Sequence, residues 1–198
     1  MTAPALLAIQ TALTASYFGS LRNALDDEPY RFIQNSRRYL VPFAILTVLP
    51  VLILLPFAIG VLGIGSLTKS LSGAVLLLIF PALVIFLVAG YLFYATPYLV
   101  VLRDTDVIDA ARQSYALAIQ GGPYLAYTGG FVLFVLLVSP VVTGIVVNVP
   151  LVGIPLGVIG GGILGLGANF ATMRFVADID PASAVGDHWE SESDSLPE

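Results

Sequence analysis

The chain has 198 residues, of which 58% are hydrophobic and 11% charged, against roughly 25% charged residues in ordinary soluble domains. A net charge of −5 with no cluster of Lys and Arg argues against a nucleic-acid partner, because phosphate binding rests on grouped cations. Without cysteine there are no disulfides, no thiolate metal sites and no cysteine nucleophile.

Residues 3–25 place Leu6, Ile9, Leu13, Tyr17, Leu21 and Leu25 at helical spacing, with Gln10, Thr11, Thr14, Ser20 and Asn23 opposite them. The segment lacks the basic start and unbroken apolar run of a signal peptide, so an interfacial or re-entrant helix is expected. Asp26-Asp27-Glu28-Pro29 reads as a turn. A first membrane span is then predicted from Tyr39 to Gly63. Its thirteen Leu, Ile, Val and Phe residues between Val41 and Ile59 contribute an insertion term on the order of −6 kcal/mol, unopposed by any charge. A second span is expected from Gly73 to Thr96, joined to the first by a loop at Ser66–Ser72 that holds Lys69.

Next comes a polar island, Ala95–Pro123. From Asp106 it reads as one short amphipathic helix, with Asp106 as N-cap, Asp109 at N3 and Gly121-Gly122-Pro123 as the stop. Val107, Ile108, Ala111, Tyr115, Leu117 and Ile119 are expected on one side. Asp109, Arg112, Gln113 and Gln120 fall on the other, with Asp109 and Arg112 spaced for an ion pair. At about 22 Å the helix is too short for a hydrocarbon core of about 30 Å, so it should lie on the membrane. A third span is predicted from Tyr124 to Val147 and a fourth from Leu151 to Val176, with a short loop at Asn148–Pro150. After Asp178 the sequence turns acidic and aperiodic, and residues 178–198, His188-Trp189 included, read as a disordered tail behind a membrane domain of residues 1–177.

The predicted fold is therefore all-α: a polytopic membrane bundle of four transmembrane helices plus two interfacial helices. Arg22, Arg31, Arg37, Arg38, Arg103, Arg112 and Arg174 all fall on one side of that topology and Lys69 alone on the other, which puts both termini in the cytoplasm. Tyr30, Tyr39, Tyr91, Tyr94, Tyr98 and Tyr124 lie near the same face, as an aromatic belt would. An internal repeat is also read. Ala95-Thr96, Val100 and Asp104 match Ala171-Thr172, Val176 and Asp180 at a constant offset, giving two parallel copies at about residues 1–104 and 105–180.

The order Pro97, Val101, Asp109, Ala110, Ser114 and Gly121, with a span on either side, resembles a broad family of multi-pass membrane domains. That family includes the membrane domain attached to some bacterial glycerophosphodiesterases and related bacterial and archaeal domains of unknown function. The resemblance covers about residues 20–180, implies a membrane helical bundle and brings no catalytic residues. Scarce lysine beside abundant acid further resembles proteins of salt-loving archaea.

Gly153, Gly157, Gly161 and Gly165 recur every four residues, a stripe that lets helix backbones approach closely. The other reading of this region is a helix broken at Gly160-Gly161-Gly162, whose unwound backbone binds a solute. Asp106, Asp109 and Arg112 followed by Gly121 look like part of the CDP-alcohol phosphotransferase signature. That chemistry needs a second acidic pair, and Leu125 and Gly129 stand where it should fall. No ionisable residue lies in the apolar portion of a span, as proton or ion relays would require. No catalytic, cofactor or metal set is read. The expectation is a structural or accessory protein of the cell membrane, with the lipid bilayer and a second copy or another membrane protein as partners. The alternative is a passive carrier or channel for a small or lipid-like solute.

Overall fold

The computed structural model describes residues 2–68, 73–148 and 150–183. The described residues form seven helices and no strand: α1 Thr2–Leu25, α2 Phe32–Thr68, α3 Gly73–Leu92, α4 Thr96–Leu102, α5 Val107–Gln120, α6 Pro123–Asn148 and α7 Pro150–Ile179. Four stretches are long and apolar enough to cross a membrane: Phe32–Pro56, Ile79–Leu102, Pro123–Asn148 and Gly153–Ile179. The protein is thus an all-α helical bundle built on four potential spans.

Several boundaries differ from the sequence reading. α2 begins at Phe32 instead of Tyr39, because nothing after Pro29 breaks a helix and the Arg37-Arg38 leader is itself helical. It continues to Thr68, so the expected loop is helical up to that point, and Lys69 lies outside the described residues. The second span is interrupted at Phe93–Ala95, and the island begins with a separate helix, α4. α7 extends to Ile179 and is followed by a turn in which the Ser183 N–H donates to the Asp180 carbonyl at 3.0 Å. The tail beyond Ser183, with His188-Trp189, lies outside the described residues.

The chain divides into two compact units, between Ala116 and Leu117 inside α5. In the first, α1 crosses the opening turns of α2. Ala12 accepts a hydrogen bond from Ser36, Gly19 abuts Asn35, and Phe18 packs on Phe43 with ring centroids 5.1 Å apart. α1 buries Thr11, Ala15, Ser16, Gly19, Leu21, Asn23 and Leu25: Leu21 and Leu25 belong to the expected apolar face and Thr11 and Asn23 to the expected polar one, while Leu6, Ile9 and Leu13 are exposed. Small and hydroxyl residues at such a contact let helices meet closely.

In the second unit α6 and α7 form a hairpin whose buried side chains gather mainly at one end, at Tyr124, Thr128, Thr172, Met173, Val176 and Ala177, with Gly153 buried near the other. Tyr127 stacks on Phe175 at 4.1 Å and hydrogen-bonds Thr172 at 2.8 Å. The apolar faces from Val132 to Leu137 and from Val158 to Leu166 are exposed, as lipid-facing surfaces would be. Pro140 and Pro155 sit inside these helices, as Pro42, Pro50, Pro56 and Pro81 do in α2 and α3.

Candidate functional site

The break before α4 has a local cause. Pro97 has no N–H, and its ring would clash with the carbonyl four residues earlier, that of Phe93. The chain turns there: the Thr96 N–H donates to Phe93 O at 3.1 Å, a three-residue step, and Pro97 sits in the first turn of α4, where a missing N–H costs nothing. Breaking a helix in an apolar setting strands polar backbone groups, and Ser114 of α5 takes up two of them. Its Oγ donates to Leu92 O at 2.8 Å and accepts from Ala95 N–H at 3.2 Å. Ser114 itself is fully buried.

α4 is enclosed on all sides. Thr96, Tyr98, Leu99, Val100, Val101 and Leu102 are buried, and Leu99, Val100 and Val101 expose no surface. Its C-terminus is closed by a left-handed residue: Asp104 has φ 51°, and the Thr105 N–H reaches back to Val100 O at 3.2 Å. Arg22 from α1 donates to Val101 O at 2.9 Å and to the Tyr39 hydroxyl at 3.3 Å, so α1 and α2 are tied to the same helix end. A carboxylate is unfavourable at a helix C-terminus, and Arg38 compensates it by a two-pronged ion pair with Asp104, Nε to Oδ1 at 2.8 Å and Nη2 to Oδ2. The Arg38 hydrogen bond holds the Asp104 carboxyl below its ordinary pKa.

The predicted N-cap of α5 is present. Asp106 Oδ1 accepts from the N–H groups of Ile108 at 2.8 Å and Asp109 at 2.9 Å. Asp109 pairs with Arg112 at 3.1 Å on the exposed face. Asp104, Asp106 and Asp109 therefore each have a separate partner, and among the described residues no three acidic or histidine side chains converge as a metal site would require. Gly121 and Gly122 take φ of 66° and 56°, a conformation that only glycine adopts without strain, and end the helix.

The buried face of α5 differs from the expected one. Val107, Ala110, Ser114, Leu117 and Ala118 are buried, while Ile108, Tyr115 and Ile119 are exposed. Val107 and Leu117 come from the expected apolar side, whereas Ala110, Ser114 and Ala118 do not, and Ser114 carries the hydroxyl that the break needs. Arg22 and Arg38 were not read as partners of α4. Their links span 79 and 66 residues, beyond any local spacing rule.

The glycine stripe of α7 is only partly engaged. Gly153 is buried, and a Cβ on Gly157 would come within 2.7 Å of Val146 Cγ2, so α6 and α7 meet there without room for a side chain. At Gly161 and Gly165 a Cβ would meet nothing within 4 Å. α7 stays helical through Gly160-Gly161-Gly162.

No family model matches the chain, and no curated protein or solved structure matches it.

Proposed function

We propose that the chain is a non-enzymatic structural or accessory membrane protein whose α7 packs against a helix of a second copy or of another membrane protein. One observation carries the reading: the stripe that forces close helix contact at Gly157 continues along α7 to Gly161 and Gly165, where it is open. Kinship with the multi-pass domains attached to bacterial glycerophosphodiesterases is part of this proposal and rests on Pro97, Val101, Asp109, Ala110, Ser114 and Gly121. A tandem origin is part of it too, supported by the order of one less apolar helix followed by two more apolar ones in α1–α3 and again in α5–α7. Cell-membrane placement with cytoplasmic termini follows from the arginine distribution. The carrier reading draws on a proline in every span and on an unwound triple glycine; the prolines lie within α2, α3, α6 and α7, and helical α7 withdraws the second support.

The test uses the absence of native cysteine. A Gly161→Cys chain in its native membrane should form a disulfide dimer, or a mixed cross-link with a membrane protein under a short bifunctional reagent. A disulfide requires Cα atoms within about 7 Å, so it reports direct contact. A chain that gives neither product, while Val158→Cys does no worse, would reject the stripe as an interface.

A further inference from the structure

Thr96 stands apart from the other hydroxyl residues of the helices. Thr11, Thr14, Ser16, Thr47, Thr128 and Thr172 each donate to the carbonyl four residues earlier, at 2.7–2.8 Å. Thr96 is buried in the first turn of α4, and its Oγ1 has no partner among the described residues. The carbonyl it would use by the same rule is that of Leu92, and Ser114 Oγ holds that carbonyl at 2.8 Å.

The same sequence pattern is straight elsewhere in the chain. Ala95-Thr96, Val100 and Asp104 recur as Ala171-Thr172, Val176 and Asp180, and there Thr172 sits inside an unbroken α7 and bonds the Ala168 carbonyl. Met173 stands where the first stretch has Pro97. Pro97 disfavours a straight helix but does not forbid one, since Pro42, Pro50, Pro56, Pro81, Pro140 and Pro155 all lie inside unbroken helices.

We propose that α3 and α4 have a second, continuous arrangement, and that Ser114 holds the segment in the broken one, as the catch of a hinge. The two arrangements leave similar numbers of polar groups unmet. Broken, the segment strands the Thr96 hydroxyl, and the Tyr91 carbonyl accepts the Tyr94 N–H at a long 3.5 Å. Continuous, the Thr96 N–H and hydroxyl both turn to the Leu92 carbonyl and the Ala95 N–H to that of Tyr91. The Phe93 carbonyl, which Pro97 cannot serve, and the Ser114 hydroxyl are then the groups left over. Such near-balance between two packings makes an element bistable. α4 is anchored by Arg22 on Val101 O and by the Arg38–Asp104 pair, whereas α3 exposes Phe80, Phe86 and Leu87, so α3 is the arm that swings. Phe93, at the hinge, walls a cleft with Ile45 and Leu49 of α2 and Ile108 and Tyr115 of α5, and the swing moves that wall. The hinge is independent of the interface proposed for α7.

Spin labels at Leu87→Cys of α3 and Val41→Cys of α2, both exposed, report the swing in the full chain, which has no cysteine of its own. The distance distribution is read by pulsed electron spin resonance in detergent. The labelled chain should give one dominant distance. Ser114→Ala removes the hydroxyl that holds Leu92 O and should raise a second distance relative to the first by roughly tenfold or more, the weight of a buried polar group left unpaired. Adding Thr96→Val removes the competing hydroxyl and should bring that second population down again. Pro97→Ala breaks no native hydrogen bond and offers Phe93 O an N–H, so it should raise the second distance even where Ser114→Ala fails to fold. A folded Ser114→Ala or Pro97→Ala chain that keeps the single dominant distance would overturn the proposal, as would a second population that Thr96→Val leaves undiminished.

Discussion

Two apolar stretches of this chain have opposite fates. Tyr98-Leu99-Val100-Val101-Leu102 of α4 is buried throughout, with Leu99, Val100 and Val101 showing no surface, whereas Leu136 and Leu137 of α6 are 64% and 65% exposed. Hydropathy does not separate them. The difference lies in what surrounds the backbone: α4 follows a break, and its stranded groups are met by Ser114, Arg22 and the Asp104 turn, while α6 satisfies its own ladder and can face lipid. The matched threonines repeat the contrast. Thr172 bonds Tyr127 and the Ala168 carbonyl, whereas the buried Thr96 hydroxyl has no partner among the described residues. Burial at this break goes with polar repair and close helix approach, which hydropathy does not show.

The strongest way to break that contrast is at Gly19, where a Cβ would lie 2.6 Å from Asn35 Cβ. Gly19→Leu should separate α1 from α2 and cost about 3 kcal/mol or more, read as loss of the folded fraction in thermal unfolding in detergent. Gly161→Leu, where the space is open, should leave monomer stability within about 0.5 kcal/mol.

Ser114→Ala comes next. It leaves the Leu92 carbonyl and the Ala95 N–H without their buried partner and should cost about 2–3 kcal/mol. Ser139→Ala, on the exposed side of α6, should cost less than about 0.5 kcal/mol. Equal effects would remove Ser114 from its assigned role.

The Arg38–Asp104 pair sharpens the same comparison by pH. A folded-state pKa held below the unfolded value, about 3.9, gives stability that is present above that value and lost as pH falls through the folded one. The pair is about half exposed, so the gain should stay below about 1 kcal/mol. Unfolding curves of the wild type and Asp104→Asn should differ at pH 6 and converge in acid. A similarly small effect is expected of the Asp106→Asn, Asp109→Asn double change, since Asn also caps and only the dipole and ion-pair terms, roughly 0.3–1 kcal/mol each, are lost.

Much of the frame was legible beforehand. The third and fourth spans were expected at Tyr124–Val147 and Leu151–Val176 and are helical from Pro123 to Asn148 and from Pro150 to Ile179. The Asp106 cap, the Asp109–Arg112 pair and the Gly121 stop were visible because each is local chemistry within a few residues. α4 was not, although Pro97 was there to signal it, because a seven-residue helix adds no periodic pattern of its own. The packing faces of α1 and α5 were legible only in part: Leu21, Leu25, Val107 and Leu117 are buried as hydropathy suggests, while Leu6, Leu13, Ile108 and Ile119 are exposed, because apolar spacing does not show where a helix meets its neighbours.

The account depends above all on these helices crossing a bilayer, and α6 allows the cleanest test. Its 26 residues span about 39 Å, more than the roughly 30 Å hydrocarbon core, so Gln120 and Asn148, both exposed, should lie on opposite sides. In sealed vesicles of the cysteine-free chain, a membrane-impermeant thiol reagent added outside should label Gln120→Cys or Asn148→Cys, with the other reached only after permeabilisation. Labelling of both from the same side would contradict the spanning arrangement on which the reading of the exposed apolar faces and the proposed glycine interface rest.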